Sequence, residues 1–276
     1  MYLRRYYRAV GFRSKRFTGP SRTWPLGVNT KVSLLAAARA VRYTLLSNIE
    51  GGVVMRPLAV AVLSLCGLLP TSAQSPVPVA NEPRHHLKFE NEYVRVFDVV
   101  VPPGDATLFH IHANDYAFVS IGDATLKAEV MGSQPGDLIV KDGEARFTKG
   151  PITHRVTNVV NTPFRNITIE ILKSPGPVGA STPDTSPGHS IVLENDRIRI
   201  ERLILEPGQT TNIHTHNVSA LSVFLTKSKV RIESPGAKAD TIEYKPGDFR
   251  WRSAPVTHSI KNIGATRFEA AGVDWK

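Results

Sequence analysis

The sequence predicts an all-β protein built from one unit written twice, and three observations lead there. Short runs alternating apolar with polar residues are divided by Gly, Pro, Asn and Asp, and no segment after residue 73 carries a long helical period. Landmark residues also recur 104 positions apart, as His110 and His214 do. This pattern indicates a barrel or sandwich in each copy rather than a solenoid, whose repeats are shorter.

Residues 93–101 and 197–205 alternate for much of their length, and each run leads into a Pro-Gly turn, Pro103-Gly104 and Pro207-Gly208. Further β-rich runs cover 116–121, 165–172, 220–225, 229–233 and 266–273. Around them Glu90-Asn91-Glu92 answers Glu194-Asn195-Asp196, and Arg146-Phe147 answers Arg250-Trp251. Pro151-Ile152-Thr153-His154 likewise answers Pro255-Val256-Thr257-His258, and Asn158 answers Asn262. One match is out of step. Pro135-Gly136-Asp137 meets Pro246-Gly247-Asp248 at an offset of 111, which implies seven extra residues before that turn in the second copy and seven fewer after it. Compensating changes of that kind belong in surface loops.

The chemistry-bearing residues sit inside this repeat. Histidines at i and i+2 of a strand point to the same side, so His110 and His112 can share one ion, as can His214 and His216. His154 and His258 would each add a third imidazole, the side chain most often found on metals. His85-His86 opens the folded region and His189 lies in a Pro-Gly linker, so these read as non-ligands. If the strand continues past each pair, Asn114, Tyr116 and Phe118 share the site's face in copy one, and Val218, Ala220 and Ser222 in copy two. The second pocket therefore reads as the more apolar. Tyr116 is the candidate catalytic side chain, a phenol placed to orient a substrate or carry a proton. Asn158 and Asn262 read as hydrogen-bonding residues at the barrel ends, and Arg146 and Arg250 as solvated strand-edge residues.

These residues resemble the cupin superfamily, whose first motif reads G-x5-H-x-H-x3/4-E-x6-G and whose second ends in H-x3-N. Gly104, His110, His112 and Gly122 follow the first motif in copy one, and Gly208, His214 and His216 in copy two. His154 with Asn158, and His258 with Asn262, follow the second. The resemblance spans 88–276 and implies two double-stranded β-helix (jelly-roll) barrels in tandem, a bicupin. Where the family places its glutamate ligand, copy one has Tyr116 or Ala117 and copy two has Ala220 or Leu221. Asp115 sits one position early, on the other face of a regular strand. Each centre is therefore expected to hold a divalent metal on three neutral histidines alone. Similar sites in the superfamily hold iron in thiol and diketone dioxygenases, so Fe(II) is favoured. Three imidazoles with an open position also suit zinc, and manganese is less favoured.

The formal charge of +10 belongs to the front of the chain. Residues 1–54 carry ten Lys/Arg and one acid, whereas 74–276 carry 23 of each sign. A neutral body gives no reason to expect nucleic acid as a partner. Met55-Arg56-Pro57, the apolar run 58–69 and Thr71-Ser72-Ala73 read as a signal peptide (55–73) cleaved after Ala73, too short to span a bilayer. Residues 1–54 then read as an over-extended reading frame, or else as a basic leader. The sole cysteine, Cys66, falls in the apolar run, so the remainder has no thiol and no disulfide. Residues 74–86 read as a tether, 87–173 as the first domain, 174–188 as an exposed Pro/Gly/Ser linker and 189–276 as the second domain. The absence of G-x-S-x-G, P-loop and dinucleotide fingerprints removes several enzyme classes. What is expected is an exported protein, periplasmic or extracellular, without a membrane span after cleavage, and a homodimer. It would bind a small organic molecule as a dioxygenase-like enzyme, or alternatively as a non-enzymatic binding module of the cell envelope.

Overall fold

Strands β1 (Val77–Pro78), β2 (His85–Glu90), β3 (Val94–Val101), β4 (His110–His112) and β5 (Tyr116–Ile121) open the first barrel. It is completed by β6 (Ala124–Val130), β7 (Gly136–Val140), β8 (Ala145–Thr148), β9 (Ile152–Asn158) and β10 (Phe164–Ile171). The computed structural model describes residues 75–180 and 183–276. The basic leader, the expected signal peptide and Cys66 lie outside the described residues. The second barrel starts with β11 (His189–Glu194), β12 (Ile198–Leu205), β13 (His214–His216), β14 (Ala220–Phe224) and β15 (Ser228–Glu233). Strands β16 (Asp240–Tyr244), β17 (Phe249–Arg252), β18 (Val256–Asn262) and β19 (Phe268–Trp275) finish it.

Each barrel pairs two sheets. The first has the orders β1-β4-β9-β6-β7 and β2-β3-β10-β5-β8. The second repeats them as β13-β18-β15-β16 and β11-β12-β19-β14-β17. These are jelly-roll barrels, as the repeat and its resemblance imply, with no helix among the described residues long and apolar enough to cross a membrane.

The register corrects one feature of the repeat. Ala124 pairs with Val140 across β6 and β7, and Ser228 pairs with Tyr244 across β15 and β16, which keeps the offset at 104. The turn equivalent to Gly247 is therefore Gly143, both with positive φ (86° and 70°), not Gly136. Gly143 N–H donates to Ser120 O and Gly247 N–H to Phe224 O, one bond written twice. The Pro-Gly-Asp match at 111 is coincidental, and no compensating insertion exists.

The segment expected as a tether contains regular structure, and the linker makes bonds to the second barrel. Residues 77–78 form β1, parallel to β4, and a 3-10 turn at Val79–Asn81 buries Val79 before Glu82 and His85 turn inward. In the 174–188 segment, Ser174 Oγ donates to Lys276 O at 2.7 Å, and Val178 N–H donates to Asn217 O at 2.9 Å. Asn217 Nδ2 returns a bond to Ala180 O at 3.3 Å. Most of this segment is exposed, as expected, with Val178 and Ala180 bonded to the residue that follows His216.

Among the described residues three apolar cores are found. One fills the first barrel around Phe97, Leu126 and Phe164, and another fills the second around Leu205, Val230 and Phe268. The third joins them: Val94, Val96, Ile167 and Ile169 pack with Ile198, Ile200, Val273 and Trp275 in one cluster. Residues on alternate sides of β3, β10, β12 and β19 thus serve a barrel interior and the seam between barrels, which explains their dense Val/Ile content. Tyr93 stacks on Trp251 at the edge of this seam, 6.0 Å between centroids.

At the barrel ends, the fully buried Asn158 donates through Nδ2 to Val101 O (3.0 Å) and Thr162 O (2.8 Å). Asn262 does the same to Leu205 O and Thr266 O, both at 2.8 Å. Each side chain satisfies carbonyls that the ladder leaves open, as expected from the repeat.

Candidate metal centres

His110 and His112 lie on β4 opposite β9, whose His154 is the cross-strand partner of His110. Their inward parity is that of a pleated strand. Centroids of His110 and His154 are 4.5 Å apart, and those of His112 and His154 are 5.3 Å apart. Nδ1–H of His110 donates to Leu108 O at 2.9 Å, which fixes the tautomer and leaves a lone pair on Nε2. That Nε2, Nε2 of His154 and Nδ1 of His112 are buried without hydrogen-bond partners. A buried polar atom left unpaired costs about 1–3 kcal/mol. Of the three rings, His110 and His112 bring ligand atoms within 4.8 Å of each other and of His85, whereas His154 joins the cluster by ring contact and stands outside that closer set. Burial, with neighbouring histidines adding to it, pulls His110 down to about 3, His112 to about 2 and His154 to about 4. All three are neutral near pH 7, the form that binds metal.

A fourth imidazole joins them. His85 lies with His110 and His112 in a set whose candidate ligand atoms are all within 4.8 Å. Its Nδ1 sits 2.6 Å from Glu82 Oε2, a carboxylate that also accepts Leu108 N–H at 3.1 Å and Arg84 N–H at 2.9 Å. Burial raises the Glu82 pKa, but the bonds from His85 and Leu108 outweigh it and hold the group low. A carboxylate behind a histidine orients the ring and raises its basicity. The expectation that His85 is no ligand candidate is thus corrected, while His86 is exposed.

The second barrel repeats the core of this arrangement. His214 pairs with His258 across β13 and β18. Its Nδ1–H donates to Asn212 O at 2.8 Å, as His110 does to Leu108. Nε2 of His216 lies 2.9 Å from Nε2 of His214 and 3.2 Å from Nε2 of His258. Nitrogens bound at 2.0–2.1 Å to one tetrahedral ion would stand roughly 3.3 Å apart, so the three atoms are already near ligand spacing. Burial lowers the pKa of His216, helped by the Arg252 charge, and brings His258 down to about 3. His189, also expected not to be a ligand, forms a set with Asp184 and His214. It is the repeat counterpart of His85, at the same offset of 104. Eight of the nine histidines therefore belong to the two clusters. The repeat spacing itself was the signal that would have found the outer pair.

The walls differ between barrels. Tyr116 stacks on His112, 4.0 Å between centroids at 18°, and lies opposite Thr148 in the pairing of β5 with β8. Phe97 meets His85 edge-on at 5.9 Å. The counterparts of Tyr116, Thr148 and Phe97 are Ala220, Arg252 and Glu201. Burial, reinforced by Asp274, pushes Glu201 up to about 7; burial pushes Asp274 up to about 6 against the pull of Arg252. A cavity of ≈ 340 Å³ opens between Asp184, Glu201, Asp274, His214 and His216. The second pocket is thus the more polar one, contrary to the reading from the strand after each HxH. Its charges come from β12, β17, β19 and the linker. Strand β13 also ends at His216, and β14 begins at Ala220, so one continuous face does not run through them.

No family model matches the chain, and no curated protein matches it in sequence. In backbone the chain is similar to AerE from Microcystis aeruginosa, with a TM-score of 0.52 at 11% identity over 71% of this chain and 98% of that one. A mutant of Bacillus subtilis oxalate decarboxylase OxdC gives 0.51 at 13% identity over 74% and 79%. Oxalate decarboxylase from Lactobacillus farciminis, in a formate complex, gives 0.50 at 13% over 69% and 83%. The likeness is one of fold. The two barrels have the bicupin architecture, and each carries a histidine cluster.

Proposed function

We propose that this is an exported metal-binding bicupin that holds a divalent cation in each barrel and uses it on a small organic molecule. The observation that carries this reading is the doubled convergence of imidazoles, with His110 and His214 each turning Nδ1–H to a backbone carbonyl, buried unpartnered ring nitrogens in the first barrel and Nε2 atoms 2.9–3.2 Å apart in the second. In the first barrel His110, His112 and His154 would hold the ion, with His85 beside them. Fe(II) is the favoured ion and zinc the alternative, since imidazole donors suit both. Such an ion would supply Lewis acidity, or redox chemistry in the case of iron. Tyr116 would set one wall of the first pocket and present its phenol to a substrate. That oxalate decarboxylases share the fold supports a small organic molecule as the ligand class. Export rests on the 55–73 segment.

A second reading, a non-enzymatic binding protein of the cell envelope, is favoured by the 1% exposure of His110 and His112. Elemental analysis of the untagged protein after reconstitution tests the first reading. One ion per barrel is expected, with one lost in His110→Ala and the other in His214→Ala. Substrate-dependent oxygen uptake would separate the enzyme from the binding protein. A chain that takes up neither iron, zinc nor manganese would sink both metal readings.

A further inference from the structure

The two centres use their acids differently. In the first barrel Glu82 stands behind His85 with both oxygens engaged by N–H groups. Its repeat counterpart is Ser186, which offers no charge. The second barrel instead has Asp184, whose counterpart is Ala80. Asp184 comes from the segment between the barrels, held over the mouth by the bonds of Val178 and Ala180 to Asn217. Its side chain is 8% exposed, and its Oδ1 accepts Ser186 N–H at 2.8 Å.

The other oxygen is the informative one. Asp184 Oδ2 is buried without a hydrogen bond, 3.2 Å from Nε2 of His214 and 3.2 Å from Nε2 of His189. His214 already donates Nδ1–H to Asn212 O, and His189 Nδ1 lies 3.3 Å from Ser186 O. In that tautomer both Nε2 atoms carry lone pairs, so a carboxylate oxygen faces two acceptors with no proton between them. The opposite tautomer would turn bare Nδ1 atoms onto carbonyls. With neutral rings either choice leaves acceptors in contact at low exposure, a cost that a positive charge among them relieves, whether a second proton on a ring or a bound cation.

We propose that Asp184 is the carboxylate ligand of the second centre, supplied by the interdomain segment in place of the acid that the barrel strands lack. This rests on the metal-binding reading above. The two centres of one chain then differ in charge: imidazoles alone in the first, imidazoles with one carboxylate in the second. Added carboxylate shifts a donor set toward harder ions such as manganese. On this proposal the two sites are unlike, and only the second carries a carboxylate.

The test uses the full chain with the first centre removed by His110→Ala, stripped with chelator and titrated with Mn(II) under electron paramagnetic resonance. Asp184→Asn in that background is expected to weaken Mn(II) binding tenfold or more. In a His214→Ala background, where only the first centre remains, Asp184→Asn is expected to change nothing. Unchanged affinity in the first background would overturn the proposal while leaving the metal reading intact. Failure of Mn(II), Fe(II) and Zn(II) to bind either background would instead remove the metal reading. Should Asp184→Asn not fold, a crystal of the Mn(II)-loaded native chain decides, by anomalous scattering. A metal–oxygen distance of about 2.0–2.2 Å to Asp184 supports the assignment, and an ion ligated without it overturns it.

Discussion

Each lead histidine is aimed by the carbonyl two residues before it, Leu108 O for His110 and Asn212 O for His214. The chain thereby fixes two tautomers with backbone atoms alone. Burial keeps the His110, His154 and His258 rings neutral, and that has a consequence for stability. Above the ordinary histidine pKa of 6.5 the folded and unfolded chains bind the same protons at these rings. Below it the unfolded chain takes up protons that His154, down at about 4, and His110 and His258, at about 3, refuse. Stability therefore falls as the pH drops from 6.5 toward 4, and the loss levels off only once the folded rings themselves protonate. Denaturant midpoints of the metal-free protein between pH 8 and pH 4 check this, and a flat profile would contradict it. At this scale the six histidines of the doubled motif were legible, because period-two alternation needs no knowledge of the fold. His85 and His189 share the 104-residue spacing, but that they turn inward depends on the pairing of β2 with β3 and β11 with β12.

At the scale of elements, β11 must start at a fixed place for His189 to reach Asp184. Gly188, at φ +89°, sets that start, and an added Cβ there would collide with the Ile204 carbonyl. Gly188→Ala is expected to cost about 1–3 kcal/mol in the left-handed strain alone, and to shift the first residues of β11. Thermal melts give the loss of stability, and a mutant as stable as the native chain would refute it. The strands were partly readable: the run 116–121 is β5, and 229–233 falls within β15. Less regular were β7 and β16, whose turn was misaligned because a Pro-Gly-Asp likeness outweighed a register that sequence does not display. The linker's composition indicated its exposure but not its contacts. Pro, Gly and Ser describe chain stiffness and turn content, and they do not say what the segment lies on.

For the whole molecule, the decisive feature is the shared core. Trp275, Ile198 and Ile200 from one barrel and Val94, Val96 and Ile169 from the other are all at most 1% exposed in a single cluster. Splitting the barrels would open that apolar seam to water. The metal-free protein is expected to unfold in one calorimetric transition, and Trp275→Ala, removing a buried indole, to destabilise it by about 3–5 kcal/mol. Two separated transitions in the native protein, or a first barrel that stays soluble and folded without the second, would show that the seam does not couple them.

The sequence by itself determined the all-β class, the doubling and the six inward histidines, since alternation and spacing are local properties of the chain. It also located the basic charge before residue 55. The tertiary structure decided the fourth histidine of each cluster, the charged wall of the second pocket, the seam between barrels and the approach of Asp184. Each of these depends on which strands pair and in what register. Those choices bring together residues such as Ile200 and Val96, or Asp184 and His214, that no local pattern relates.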